Sequence, residues 1–300
     1  MKKFLLKLSL FFSACLLAFA GIYGTYFWRI RTLSFSLPRD KTIVFIGDSH
    51  IECGVDPALI PGAFNFAKSS DPYLDQYCRL KMLLKDNPQI KTIFITATPH
   101  SLARYGDERI WGKFTLRNVV TNALPLYGKE ELKIYSQPQH ILKIIKFYLQ
   151  NPIGFARKDT KSREQLISQL GAYLPLDTKE LQRSIAAEKG EIPGIKSKFH
   201  GNEQYGNALQ LKYLKKIIAL AREHDCKIIL LNPPIYHARE FLDVDYFETV
   251  MAEHFPDVEY WDYADFPVPD DCRRDINHLN RYGAPIFSKK LAERIREENL

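Results

Sequence analysis

The sequence predicts an α/β protein: a three-layer α/β/α, doubly wound parallel sheet with a helical insertion, preceded by a membrane-spanning helix. Three observations lead there. Short β-branched runs alternate with amphipathic stretches along most of the chain, the pattern of parallel α/β units. An uncharged run of 21 residues occupies 8–28. A helix-forming stretch at about 105–200, carrying Pro125, Pro138, Pro152, Pro175 and Pro193, interrupts the alternation without a convincing strand. The 300 residues suffice for one core and an insertion, and 46% hydrophobic with 26% charged residues argues against disorder or a fibrous repeat.

The N-terminal run reads LSLFFSACLLAFAGIYGTYFW. At 1.5 Å per residue it would extend ~31 Å as a helix, enough to cross a hydrocarbon core. Lys2, Lys3 and Lys7 precede it, and Tyr23, Tyr26 and Trp28 gather at its far end, where amphipathic rings favour the headgroup region. Ala18-Phe19-Ala20 also resembles a signal-peptide cleavage site, but the apolar run continues past it, which favours a retained anchor. Phe12-Ser13-Ala14-Cys15 is a poor lipobox. Residues 29–41, with Pro38, read as a juxtamembrane linker, and 42–300 as one domain facing the periplasm or another extracytoplasmic space.

The formal charge of +7 invites a nucleic-acid reading, but its distribution argues against one. Residues 1–41 hold seven Lys or Arg and one Asp, leaving 42–300 nearly neutral at a net +1. The basic excess flanks the apolar run and speaks of membrane topology. Cys53, Cys78, Cys226 and Cys272 show neither C-x-x-C nor zinc spacing and read as small core residues.

In the body, 42–46 (TIVFI), 64–67 (FNFA), 92–97 (TIFITA), 227–231 (KIILL) and 258–261 read as strands. Helical spacing appears at 74–85, through Leu74, Tyr77, Cys78 and Met82, and at 207–223, through Leu211, Leu214, Ile217, Ile218 and Ala221. Asn232-Pro233-Pro234 stops the fourth strand; helices follow at 238–254 and 284–298. Within the insertion, 140–158 is apolar and basic; a helix packed on the core with exposed lysines is preferred to one lying on a lipid surface.

Two motifs carry chemistry. Gly47-Asp48-Ser49 follows the first strand, at the carboxyl edge where such sheets bind ligands. Asp275-Ile276-Asn277-His278-Leu279-Asn280 precedes the last helix. A serine nucleophile needs a base, and a histidine base needs a carboxylate to hold its tautomer, so D-x-x-H on one loop delivers the pair that Ser49 lacks.

TIVFIGDSHIECGVDP (42–57) and DINHLNRYGAPIFSKKLAERI (275–295) together resemble the first and last blocks of the SGNH (GDSL-type) hydrolase superfamily, whose sheet is flavodoxin-like. The resemblance implies Ser49 as nucleophile, His278 as general base and acid, and Asp275 as its orienting carboxylate. It implies an oxyanion hole from the amides of Ser49 and of Ser70, which occupies the family's glycine position in 65–71. The family's block-three asparagine is missing after Thr96-Ala97-Thr98-Pro99-His100-Ser101, so His100, or failing that Thr98, is expected to donate. With an anchor, the chain is similar to the envelope-facing branch that includes the D-alanyl transfer protein of teichoic-acid modification and O-acetyl esterases or transferases of envelope glycans. That similarity implies an O-acyl ester substrate and no metal or organic cofactor.

Two other functions compete with this reading. A degenerate scaffold in an envelope-assembly complex is motivated by the missing asparagine. A metal-dependent phosphodiesterase would draw ligands from Asp48, His50, Asp270, Asp271, Asp275 and His278, a reading disfavoured because His50 is expected to enter the turn or helix after Ser49. Glu52 reads as a first-turn acid complementing a helix dipole, and His200 and His237 as loop residues.

Overall fold

The β-branched runs assemble into one five-stranded sheet in which every neighbouring pair is parallel. The strands are β1 (Ile43–Ile46), β2 (Ala63–Asn65), β3 (Thr92–Thr96), β4 (Lys227–Asn232) and β5 (Glu259–Asp262), in the order β2-β1-β3-β4-β5. The computed structural model describes residues 2–102, 110, 119, 123–136, 138–150, 161–192 and 208–300, with the side chains of Gln139 and Phe241 excepted.

The three central strands β1, β3 and β4 are buried on both faces, which is why they are largely apolar rather than alternating, whereas edge strand β5 (EYWD) buries only Trp261. Val44, Ile46, Ile93, Ile95, Ile228 and Leu230 point into one core; Ile43, Phe45, Phe94, Ile229, Leu231 and Trp261 point into the other. The first core is closed by α3 (Tyr73–Asp86), α9 (Ala208–Glu223) and α11 (Val244–His254), and the second by α2 (Ser49–Gly54) and α12 (Gly283–Glu297). Cys53, Cys78, Cys226 and Cys272 are buried and unpaired, as small core residues.

Three expectations change. The helix expected at 238–254 is two helices, α10 (Ala238–Phe241) and α11, because Leu242 is extended and Asp243 caps the second by accepting from Tyr246 N at 3.0 Å. The linker expected from residue 29 begins later, since α1 (Lys2–Thr32) continues through it; Arg29 and Arg31 in the last turn suit the negative end of the helix. The residues beyond are tied down: Phe35 N donates to Asp86 at 2.7 Å, Leu37 N to Asn87 at 2.6 Å, and Phe35 is fully buried.

The third change concerns the insertion. Its described residues form α5 (Lys129–Tyr135), α6 (Pro138–Gln150), α7 (Arg163–Leu170) and α8 (Leu181–Glu188), with no strand among them. The helix expected over 140–158 spans Pro138–Gln150, and 151–158 lie outside the described residues, as does His200. Ile144 and Tyr148 pack against the first core and Lys143 and Lys146 are exposed, as anticipated, but Ile141, Leu142, Ile145 and Leu149 are exposed as well. The helix α1 is long and apolar enough to cross a membrane, and its apolar window is unburied.

Candidate active site

Gly47 ends β1 where the backbone of that strand meets β3. A Cβ there would lie 1.8 Å from Thr96 Oγ1, so only glycine allows the approach through which Asp48 N–H donates to the same oxygen at 3.3 Å. Asp48 then caps α2, accepting from His50 N at 3.0 Å. The result places Ser49 in the first turn of a short helix at the carboxyl edge of the sheet.

The second motif arrives from the far end of the chain, and its own residues explain its shape. Asp275 Oδ1 accepts from the backbone N–H groups of Asn277 and His278, both at 2.9 Å, closing a tight turn. Buried Asn280 donates to the carbonyls of Asp271 and Arg273 and accepts from Tyr282 N, locking the turn onto the start of α12. A Cβ on Gly283 would meet Cys272 O at 2.2 Å, so the glycine after D-x-x-H-L-N is a packing requirement.

The two motifs meet. His278 Nε2 lies 2.8 Å from Ser49 Oγ, and His278 Nδ1 lies 2.8 and 3.0 Å from the two Asp275 oxygens. An ionised carboxylate only accepts, so Nδ1 carries the imidazole proton and Nε2 offers its lone pair to the serine hydroxyl. Burial alone would raise the Asp275 carboxyl, but the His278 hydrogen bond and charge, with the two backbone N–H groups, outweigh it and hold the carboxyl down to about 2.

The oxyanion candidates are placed less uniformly. Ser70 has φ of +58°, the left-handed conformation that glycine adopts without cost, and lines a cleft with Asp48, Tyr73, Gln76 and His100. His100 lies in the short helix α4 (Pro99–Leu102), with Nε2 2.8 Å from Asn277 Oδ1, so its N–H is directed at the neighbour of His278; donating to an oxyanion from that atom would require it to exchange this partner. Thr98 is folded into its own turn, exchanging bonds with Ser101 through both its backbone N–H and its Oγ1.

Several contributors were not foreseen. Glu52 does lie in the first turn of α2, but it is buried and turned inward. Its Oε2 accepts from Ser69 N at 2.8 Å and from the Ser69 hydroxyl, and Lys68 Nζ lies 3.7 Å from Oε1. It therefore fixes the residue preceding Ser70. Buried Arg79 of α3 performs a similar service from below, pairing with Asp71 and donating to the carbonyls of Phe66 and Leu170. His50 stacks on His278, with ring centroids 5.4 Å apart, and lies 5.2 Å from the ring of His100. The available signal was positional: His50 and His100 each follow the carboxyl end of a strand, and those two strands are neighbours.

Residues 171–184 brace both halves of the site. Ala172 N donates to Ala67 O, Leu174 N to Glu52 O, and Arg281 N to Leu176 O. Leu181 packs on Ile276. The remaining metal-ligand candidates do not converge. Asp270 and Asp271 are exposed, Asp48 is engaged with His50, and no group of three or more His, Cys, Asp or Glu is placed to hold a metal ion among the described residues. His237 caps α10 from a left-handed conformation, in a loop as expected. Comparison with known proteins finds no family model and no curated sequence that matches this chain.

Proposed function

We propose that the chain is a membrane-tethered serine esterase or O-acyltransferase of the SGNH type, built on a doubly wound sheet and acting on O-acyl esters of cell-envelope glycans outside the cytoplasm. The observation that carries this reading is the unbroken hydrogen-bond chain from Ser49 Oγ through His278 to Asp275. Ser49 Oγ attacks the acyl carbonyl as His278 Nε2 takes its proton, and the Asp275 carboxylate stabilises the imidazolium. In this reading the amides of Ser49 and Ser70 donate to the developing oxyanion. His278 then protonates the leaving alcohol, the acyl group stays on Ser49, and water or a sugar hydroxyl releases it by the reverse sequence. No step uses a metal or organic cofactor.

The apolar α1 supports attachment to a membrane, and the resemblance of 42–57 and 275–295 to SGNH blocks supports the ester class. The 2.8 Å contact between Ser49 and His278 weighs against a scaffold with a degraded site. Hydrolysis of p-nitrophenyl acetate tests the reading. Ser49→Ala should lower kcat by roughly 10³ or more. Activity that survives the substitution, or that a chelator abolishes, would sink it.

A further inference from the structure

α6 presents two apolar faces, and among the described residues only one is covered. Ile144, Phe147 and Tyr148 pack on Ile22, Tyr23, Tyr26 and Phe27 of α1. The Tyr23 hydroxyl donates to Tyr148 O, and the two rings meet edge to face at 4.5 Å. The other face carries Ile141, Leu142, Ile145 and Leu149, exposed by 40, 66, 47 and 59%. Positions 141, 145 and 149 repeat every four residues and 142 lies beside them, so the four form one stripe.

The location of this stripe names its occupant. The α1 residues that hold α6 are the last turns of the uncharged run 8–28, where the membrane segment meets the headgroup region. A helix docked at that level has its free face against lipid if α1 crosses the bilayer. Its charges agree: α6 contains no acid, and Lys143 and Lys146 are both exposed. Apolar residues entering the acyl boundary beside lysines at the headgroups describe an in-plane interfacial helix. We infer that α6 lies on an anionic phospholipid surface beside the anchor, so that the body is held to the membrane at two places and its orientation to the bilayer is fixed. This rests on α1 spanning the membrane, though not on the chemistry at Ser49.

The test uses the full chain in nanodiscs of phosphatidylcholine with a quarter phosphatidylglycerol. Nitroxides are placed by Leu17→Cys, Leu142→Cys, Ile145→Cys and Glu297→Cys in a Cys15→Ala background, the other native cysteines being buried. Power saturation compares collision with oxygen and with a water-soluble nickel chelate. Labels at 142 and 145 should favour oxygen by about threefold or more over the label at 297, and lie shallower than 17. Lys143→Gln with Lys146→Gln should reduce that preference.

An aqueous signature at 142 and 145 with a lipid signature at 17 overturns the inference and leaves the anchor standing. An aqueous signature at 17 overturns the anchor. Protection of 142 and 145 from both reagents means that protein, a second copy or another chain, covers the stripe, and also overturns the inference.

Discussion

Replacing Glu52 separates fold from function at the candidate site. Its carboxylate is buried and receives two hydrogen bonds from Ser69, with a longer contact to half-exposed Lys68. A hydrogen bond to a charged group contributes about 1.5–3 kcal/mol, whereas a partly exposed ion pair contributes at most ~1 kcal/mol. Glu52→Ala loses both bonds and leaves the Ser69 N–H without that acceptor, a cost of about 3–5 kcal/mol. Glu52→Gln keeps one acceptor oxygen and loses only the charge assistance, about 1–2 kcal/mol. Because Ser69 precedes the proposed oxyanion donor, Glu52→Ala should also lower kcat by ~10², the scale of one lost donor, while KM stays within about threefold. Glu52→Gln should recover most of that rate. Denaturant melts and ester kinetics on the two variants, with Lys68→Ala as a near-neutral control, decide the matter. A Glu52→Ala protein that is destabilised yet keeps kcat within about threefold of wild type would refute the link between this carboxylate and the site.

Other outcomes follow from the same geometry. Ser70 holds a left-handed conformation that costs a non-glycine residue ~1–2 kcal/mol, partly offset by the extra freedom glycine gains when unfolded, so Ser70→Gly should raise stability by about 0.5–1 kcal/mol and leave kcat nearly unchanged; a tenfold loss of rate would mean that the side chain, not the amide, matters. Asp275→Asn should reduce kcat by ~10³–10⁴, since the wrong imidazole tautomer is then held. Because the Asp275 carboxyl is depressed to about 2, its stabilising contribution, at most ~2 kcal/mol, is full above the ordinary value of 3.8 and is lost as pH falls through about 2, so the stability gap between wild type and Asp275→Asn should narrow on acidification. Asp75 behaves oppositely. Burial and the nearby Asp71 raise its carboxyl, with the Tyr127 hydroxyl bond and Arg79 opposing, and its buried Oδ2 has no hydrogen-bond partner among the described residues. The protonated form therefore favours folding, stability falls as pH rises above the ordinary carboxylate range by at most ~1.4 kcal/mol per pH unit, and Asp75→Asn should flatten that slope and melt higher than wild type at alkaline pH.

Much of this arrangement was legible in the chain because local rules and global fold agree there. Strands buried on both faces must be apolar throughout, so TIVFI, TIFITA and KIILL announced themselves. The Ser49, Asp275 and His278 set was legible because each residue belongs to a short motif at a strand or helix end. The split at Leu242 was hidden, since the apolar spacing runs through it and only the Asp243 cap interrupts. Glu52 was legible as a first-turn acid, but its bond to Ser69 was not, because nothing in the sequence places residue 69 beside residue 52; that contact exists only once β1 and β2 pair. The exposed face of α6 was likewise invisible, since amphipathic spacing gives a helix's faces but not which of them the rest of the molecule covers.

The most direct test of the central claim is covalent: reaction of the full chain with a fluorophosphonate, read by intact mass and by mapping the modified peptide. The account predicts a single adduct on Ser49, absent in Ser49→Ala and formed at least ~10³ more slowly in His278→Ala. No adduct, or one that forms equally well in Ser49→Ala, would contradict it.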